Sequence, residues 1–408
     1  MRYSIPRIRL DSSDPSSPWN YSPLPAPTSI LYCDARTLHA VHSTFWRVEK
    51  VWENPLDALQ WISEYPEPHL PNARWVGYLS YDLGRLFENI PGRIAQRDDD
   101  WPLFMFTFHA DDEHDVPCMY GETREDAIYS NGPLTSNFTR PQYEATVARA
   151  IEYINAGDIF QVNLSQKFTA PLPDDPLAIY QRLRTRTPAL YGAYLEYGSD
   201  ALVCNSPELF LRVLPDPLTG KRRVLTRPIK GTRPRRGGMD LELLESVKDQ
   251  AELNMIVDLE RNDLGRVCTI GSVKVVEPRT IETHPTLYHG VAAVEGILRD
   301  DVGLVDLLRA TFPGGSITGA PKIRAMQIID ELEPDRRGPY CGAIGYLCGD
   351  GRMEFNIAIR TIIVRSNRVQ IPVGGGIVAD STGESEYAET LTKAKALFDA
   401  LGIEIDRD

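Results

Sequence analysis

Between about residues 140 and 400, strand-like and helix-like runs follow one another without a repeating strand–helix–strand period. That irregularity limits the architecture more than any other feature. Tyr143, Val147, Ala150, Ile151 and Ile154 fall at helical spacing, and Gly157 is a natural stop. Ile159 to Leu164 then reads as a strand. A helix is predicted over about 242–261, with Val247, Ala251 and Met255 on one stripe. Another opens at Ala320-Pro321, where proline suits a first turn, and runs to about 333. Residues 341–348, 354–364 and 368–373 read as strands. The last helix starts near 383, where Ser381 and Glu384 have capping-box spacing. Leu391, Ala394, Phe398 and Leu401 make its apolar stripe. Such a pattern predicts an α+β fold, layered in the α/β manner, with extensive sheet and neither a barrel nor a Rossmann arrangement.

Before residue 140 the signals are weaker. Residues 1–30 are rich in Pro and Ser and read as an irregular arm. Residues 31–130 mix short strand-like runs with loops, as at Trp75–Asp82. The polar stretch 110–116 and the turn-rich run after it place a boundary near 125–140. An N-terminal region, 1–130, packed into the same fold as a main domain, 140–400, is the expected organisation. A chain of 408 residues allows one large domain or two to three ordinary ones.

The net charge of −13 argues against nucleic-acid and anionic-membrane partners, so an anionic ligand would need a local basic island. The six cysteines, Cys33, Cys118, Cys204, Cys268, Cys341 and Cys348, form no CxxC pair and read as buried free thiols of a reducing compartment. The first residues lack an apolar core of signal length, and no long apolar run follows. A cytoplasmic protein is expected.

Four groups of residues suggest chemistry. Asp249 with Glu252, and Glu386 with Glu389, are i,i+3 carboxylate pairs, each on one helix face. Two such faces brought together would repel unless a hard cation such as Mg²⁺ lay between them. The run Lys221, Arg222, Arg223, Arg227, Lys230, Arg233, Arg235 and Arg236 reverses the local field. Within it, Lys230 lies between Pro228 and Gly231; partial burial there would free its amine as a nucleophile. The glycine-rich stretches Gly314–Gly319 and Gly374–Gly376 could offer backbone N–H groups to a carboxylate, although the first is not a P-loop. Finally, Glu208 follows a strand, His289 sits in an apolar run, and Arg360 needs an anionic partner.

These pieces occur in one ordered set: GDIFQVNLSQ (157–166), NSPELFLR (205–212), PIKGTRPRRG (228–237), KDQAELNMIVDLERNDLGRVC (248–268), FPGGSITGAPKIRAMQIIDELEP (312–334), RGPYCGAIGYL (337–347), FNIAIRT (355–361) and GGGIVADSTGESEYAETLTKAKAL (374–397). Over about 141–400 the chain resembles the chorismate-utilising enzymes, which include the anthranilate, aminodeoxychorismate, isochorismate and salicylate synthases. The N-terminal third resembles them more loosely, at WVGYLSYDLGRLFE (75–88). The resemblance implies large, mostly antiparallel sheets flanked by helices. It implies that Glu252 and Glu389 ligate Mg²⁺ directly, with Asp249 and Glu386 as outer carboxylates. Tyr340, Arg360, Gly375 and Gly376 would hold the enolpyruvyl carboxylate of chorismate. His289, Ser316, Lys393, Gly231 and Thr232 would line the site, and Glu208 would protonate the departing 4-hydroxyl.

Branch positions add detail. Gln161 stands where isochorismate and salicylate synthases carry a lysine that activates water. Lys230 in PIKGT and the wording PGGSITGAPK resemble the aminodeoxychorismate synthases, whereas anthranilate synthase component I, the alternative, typically reads PIAGT. In that branch Lys230 would attack C2 of chorismate, and ammonia would come from a separate glutaminase subunit, for which this chain has no candidate region. The segment Thr187–Tyr194 only loosely matches the wall of the tryptophan pocket found in some members, so no inhibition by tryptophan is expected.

Overall fold

The computed structural model describes residues 6–20, 24, 26–44, 47–64, 73–90, 101–110 and 129–404. The stretch 111–128, with Cys118 and part of the expected boundary, lies outside them. Among the described residues two antiparallel sheets dominate, of eight and twelve strands. The eight-stranded sheet runs Arg7–Asp11, Tyr191–Tyr197, Asp200–Ser206, Thr361–Arg365, Arg368–Ile377, Gln161–Pro171 and Gly319–Ala320, with Thr135–Ser136 also on Gln161–Pro171. The twelve-stranded sheet runs Ile229–Pro234, Leu287–Ile297, Arg222–Arg227, Leu209–Pro215, Met353–Ile357, Ala343–Cys348, Arg74–Leu79, Phe104–His109, Ser29–Cys33, Ala40–Thr44 and Val48–Trp52. Lys274–Thr283 pairs with Leu287–Ile297 off that path.

The central strands Ala343–Cys348 and Met353–Ile357 are buried at every residue, so both faces are covered and their sequences lack a period of two. Val48–Trp52, at the sheet edge, is exposed at all but its last residue. Phe168, Ile371, Val373, Leu397 and Phe398 form a core under the helices Pro176–Arg186 and Gly383–Leu401. Tyr143, Val147, Val162, Ile328 and Ile377 form another, under Arg140–Asn155 and Lys322–Leu332. The largest cluster joins strands of both sheets. The loop 216–220 is the hairpin between Leu209–Pro215 and Arg222–Arg227.

Several expectations need correction. The described part of the first thirty residues is not an irregular arm. Arg7–Asp11 pairs with Tyr191–Tyr197, and Trp19 is fully buried, its indole N–H donating to the Gly192 carbonyl at 2.7 Å. The strand expected from Ile159 begins at Gln161 and runs to Pro171. The single strand expected over 354–364 is two strands in different sheets, because the chain turns at Ala358–Arg360. The helix expected over 242–261 breaks at Ser246, whose hydroxyl caps Val247–Gly265 through the Asp249 N–H. Its buried stripe is Leu253, Ile256, Val257, Glu260, Asp263 and Leu264, whereas Val247 is 78% exposed. Thr382, not Ser381, caps the last helix, accepting from the Ser385 N–H. Gly374–Gly376 lie within a strand rather than in a turn after it.

Candidate active site

The chain crosses between the two sheets at two adjacent places. Ser206 ends a strand of one sheet and Leu209 starts a strand of the other, with Glu208 between them. Ile357 and Thr361 make the reverse crossing, with Arg360 between them. The Ile357 N–H donates to the Glu208 carbonyl at 3.0 Å, and the Asn205 N–H to the Arg360 carbonyl at 3.1 Å. Arg360 and Cys341 both have left-handed backbone, φ +52° and +60°. Ala358 ties the two turns together: its carbonyl accepts from the Cys341 N–H, and its N–H donates to Gly342, each at 2.9 Å. Strained turns held by mutual hydrogen bonds fix where Tyr340 and Arg360 stand.

Glu208 is 4% exposed, and burial raises its carboxyl above the usual carboxylate range, with Lys230 among the groups opposing it. Lys230 is half-buried on the edge strand Ile229–Pro234. Burial lowers its amine below the ordinary lysine value; Glu252 and Glu208 oppose that shift and Lys393 adds to it. Its Nζ lies 3.4 Å from the Ser316 carbonyl oxygen, to which it donates. At Gly231, φ +85°, a Cβ would meet Asp249 Cγ at 2.9 Å, so glycine lets this strand approach the helix carrying Asp249. Thr232 Oγ1 is 2.9 Å from His289 Nδ1. Burial, with His284 and Arg360 nearby, pushes His289 down to about 3, so its ring is neutral.

Opposite Lys230 runs Gly374–Gly376. A Cβ at Gly376 would lie 2.1 Å from Gln161 Nε2 and 3.3 Å from Lys230 Nζ. A Cβ at Gly375 would lie 3.1 Å from Glu386 Oε2 and 3.5 Å from Glu389 Oε1. The glycines therefore let one strand pass directly over the carboxylates of the last helix. Gln161 Oε1, Asn163 Oδ1, Ser316 Oγ and Glu386 Oε2 are buried without a hydrogen-bond partner, a concentration expected where a polar ligand is received.

The two carboxylate pairs are close enough for Glu389 to act on Glu252. Glu252 is raised by burial and by the charges of Asp249 and Glu389. Glu386, which accepts from Ser381 Oγ at 2.6 Å, is raised by burial and by Glu389. Burial also pushes Glu389 upward, but Lys393, 2.6 Å away, with Lys230 and Lys248, holds it below the usual value. Among the described residues no three histidine, cysteine or acidic side chains converge closely enough to hold a metal as they stand. Arg233 engages Asp249 at 3.0 Å, and Lys393 engages Glu389. The all-oxygen donor set and the unpartnered Glu386 Oε2 nevertheless suit a hard divalent cation that displaces those two counterions.

Of the basic run, Lys230 reaches the site, whereas two of its arginines are held by acids. Arg227 pairs with Glu277 and Glu282, and Arg233 with Glu242 and Asp249. Arg360 donates to the Lys393 carbonyl and is held low by burial. Tyr340 is buried, and burial raises its phenol well above the ordinary value.

The match of residues 24–399 to the family described as chorismate binding enzymes decides the class. The chain belongs to that family. It is 40% identical over 368 residues to anthranilate synthase component 1 of Thermus thermophilus, covering 80% of this chain and 77% of the relative. It is 36% identical over 425 residues to aminodeoxychorismate synthase component 1 of Salmonella typhimurium, covering 96% and 92%. Anthranilate synthase component I from Streptococcus pneumoniae superposes with a TM-score of 0.75 at 29% identity, covering 96% of this chain and 92% of that one. The chorismate-utilising fold and enzyme class follow, while both branch names occur at similar identity.

Sequence reasoning did not single out four buried polar residues that the structure packs near the candidate site: Asn163, Glu260, Glu333 and Arg337. The buried Arg337 binds Glu333 and donates to the Ile317 and Asn163 carbonyls at 2.9 and 2.8 Å, bracing the Ser316 turn against the glycine strand's neighbour. Glu260 was findable, since it falls in register with Leu253, Ile256, Val257 and Leu264.

Proposed function

We propose that this chain is the ammonia-using component of an aminodeoxychorismate synthase, making 4-amino-4-deoxychorismate for p-aminobenzoate and folate synthesis in the cytoplasm. The observation that carries this reading is the pair Lys230 and Glu208: an amine with lowered proton affinity beside a buried carboxyl with raised proton affinity. A neutral lysine is a nucleophile and a protonated glutamate is an acid, so each is biased toward the form the reaction needs.

Lys230 forms a bond to C2 of chorismate and loses a proton. Glu208 gives its proton to the 4-hydroxyl, which leaves as water while the ring double bonds shift. Ammonia then bonds to C4 and gives its extra proton to Glu208, the double bonds shift back, and Lys230 leaves with its proton restored. Occupation of C2 by Lys230 directs ammonia to C4. Tyr340, Arg360 and the Gly375–Gly376 backbone would hold the enolpyruvyl carboxylate, while His289, Ser316, Thr232 and Lys393 line the ring. Glu252, Glu389, Asp249 and Glu386 would hold Mg²⁺, which supplies a Lewis-acid grip on the ring carboxylate. A glutaminase subunit would supply ammonia.

The test is incubation with chorismate, Mg²⁺ and ammonium, with the product identified by mass. Formation of 4-amino-4-deoxychorismate, abolished in Lys230→Ala, is expected. Anthranilate and pyruvate would instead assign the chain to the other branch, that of anthranilate synthase component I.

A further inference from the structure

Behind the Lys230–Glu208 pair lies a small cavity lined by Phe210, Thr226, Glu260, Asp263, Thr311 and the Gly314-Gly315 backbone, with room for about one water-sized molecule. Its walls are chain neighbours of the site: Phe210 is two residues past Glu208, Thr226 four before Lys230, and Gly315 adjoins Ser316. A Cβ at Gly315 would lie 2.7 Å from Leu259 Cδ2 and in ordinary contact, 3.9 Å, with Glu260 Cγ, so the turn packs directly on this stretch of the helix.

Glu260 is 8% exposed and is hydrogen-bonded through Oε2 alone, from Thr226 Oγ1 at 2.6 Å. Among the described residues it has no ion-pair partner. Its neighbour Asp263 is already neutralised, by Lys322 and by Arg266 at 3.3 Å, and Lys322 also closes the Thr311 carbonyl at 2.7 Å. One carboxyl oxygen is thus left without a partner among the described residues, in a mostly apolar space the size of ammonia that Leu211 and Leu264 also wall. Burial, with Glu208 and Asp263 adding to it and Thr226 and Lys322 opposing, pushes Glu260 up to about 8. A buried carboxyl that titrates there exchanges protons near neutral pH.

Resting on the ammonia-using reading above, we propose that this cavity takes up ammonium and that Glu260 strips its proton, delivering ammonia to the reaction at Glu208's side. The step balances: ammonium and the Glu260 carboxylate give ammonia and the carboxylic acid. Glu260 then returns the proton to solvent, so each turnover from ammonium releases one proton. Thr226 orients the carboxyl and is a positioning residue.

The experiment measures kcat/KM for total ammonium against pH, at saturating chorismate, in the wild type, Glu260→Gln and Thr226→Val. The wild-type profile should level near pH 8 and fall once ammonium itself deprotonates. Glu260→Gln should keep its chorismate KM, raise its ammonium KM at neutral pH by at least about tenfold, and climb to a plateau at ammonium's own pKa. Thr226→Val, which keeps the side-chain volume, should move the same way by less, and it decides the matter if Glu260→Gln does not fold. Variants with the wild-type ammonium KM and profile would overturn the site. A wild type that makes no aminated product would instead overturn the proposed function.

Discussion

Lys230 and Gly376 meet across the site, and each carries a prediction about the other's chemistry. The amine must be neutral to bond to carbon, and burial lowers its proton affinity. The single-turnover rate of Lys230 adduct formation should therefore rise with pH to a midpoint below about 10.4, the ordinary lysine value. Stopped-flow measurement of chorismate consumption checks this, and a midpoint at or above that value would rule out burial as the activating force. Gly376→Ala would put a methyl 2.1 Å from Gln161 Nε2 and 3.3 Å from Lys230 Nζ. Overpacking of this kind costs on the order of 1–3 kcal/mol. We expect kcat/KM for chorismate to fall at least about tenfold. Unchanged kinetics would show that the glycine is not required for the approach.

At the scale of elements, the Lys322–Leu332 helix and the turn after it act on the site through Glu333 and Arg337. The pair is buried, and Glu333 Oε1 also accepts from the Ser165 N–H and hydroxyl at 2.8 and 2.9 Å. Arg337→Met removes one partner and leaves a buried carboxylate uncompensated. A loss of about 3–5 kcal/mol is expected in urea-induced unfolding. Paired replacement with Glu333→Gln should recover part of it, and additivity of the two changes would refute the coupling. Element boundaries were the least legible feature at this scale. The Val247–Gly265 helix buries Glu260 and Asp263 while exposing Val247, so a stripe drawn from apolar residues alone fell on the wrong face.

At the scale of the whole molecule, the N-terminal region and the region after residue 140 share both sheets. Arg7–Asp11 pairs with Tyr191–Tyr197, and Arg74–Leu79 pairs with Ala343–Cys348. Trp19 is carried by this arrangement onto Tyr191, with ring centroids 5.3 Å apart. An indole of the chain itself thus lies against the stretch that loosely resembles the tryptophan-pocket wall of some family members. Excess free tryptophan should leave turnover unchanged; clear inhibition would refute the expectation.

The sequence by itself singled out the candidate residues, because a lysine between Pro228 and Gly231, paired carboxylates at i,i+3 and a triple glycine are local patterns with local physical reasons. It also carried the family, through eight ordered motifs. Tertiary structure alone decided that Glu208 and Arg360 sit at the two crossings between sheets, that Arg227 and Arg233 of the basic run are spent on neighbouring acids, and that Glu260 lines a cavity near Glu208. Those facts depend on pairings between residues far apart in the chain, such as Leu209 with Asn356 and Cys204 with Thr361. Burial and charge at a site are set by whichever distant groups arrive there, and periodicity along one segment does not encode them.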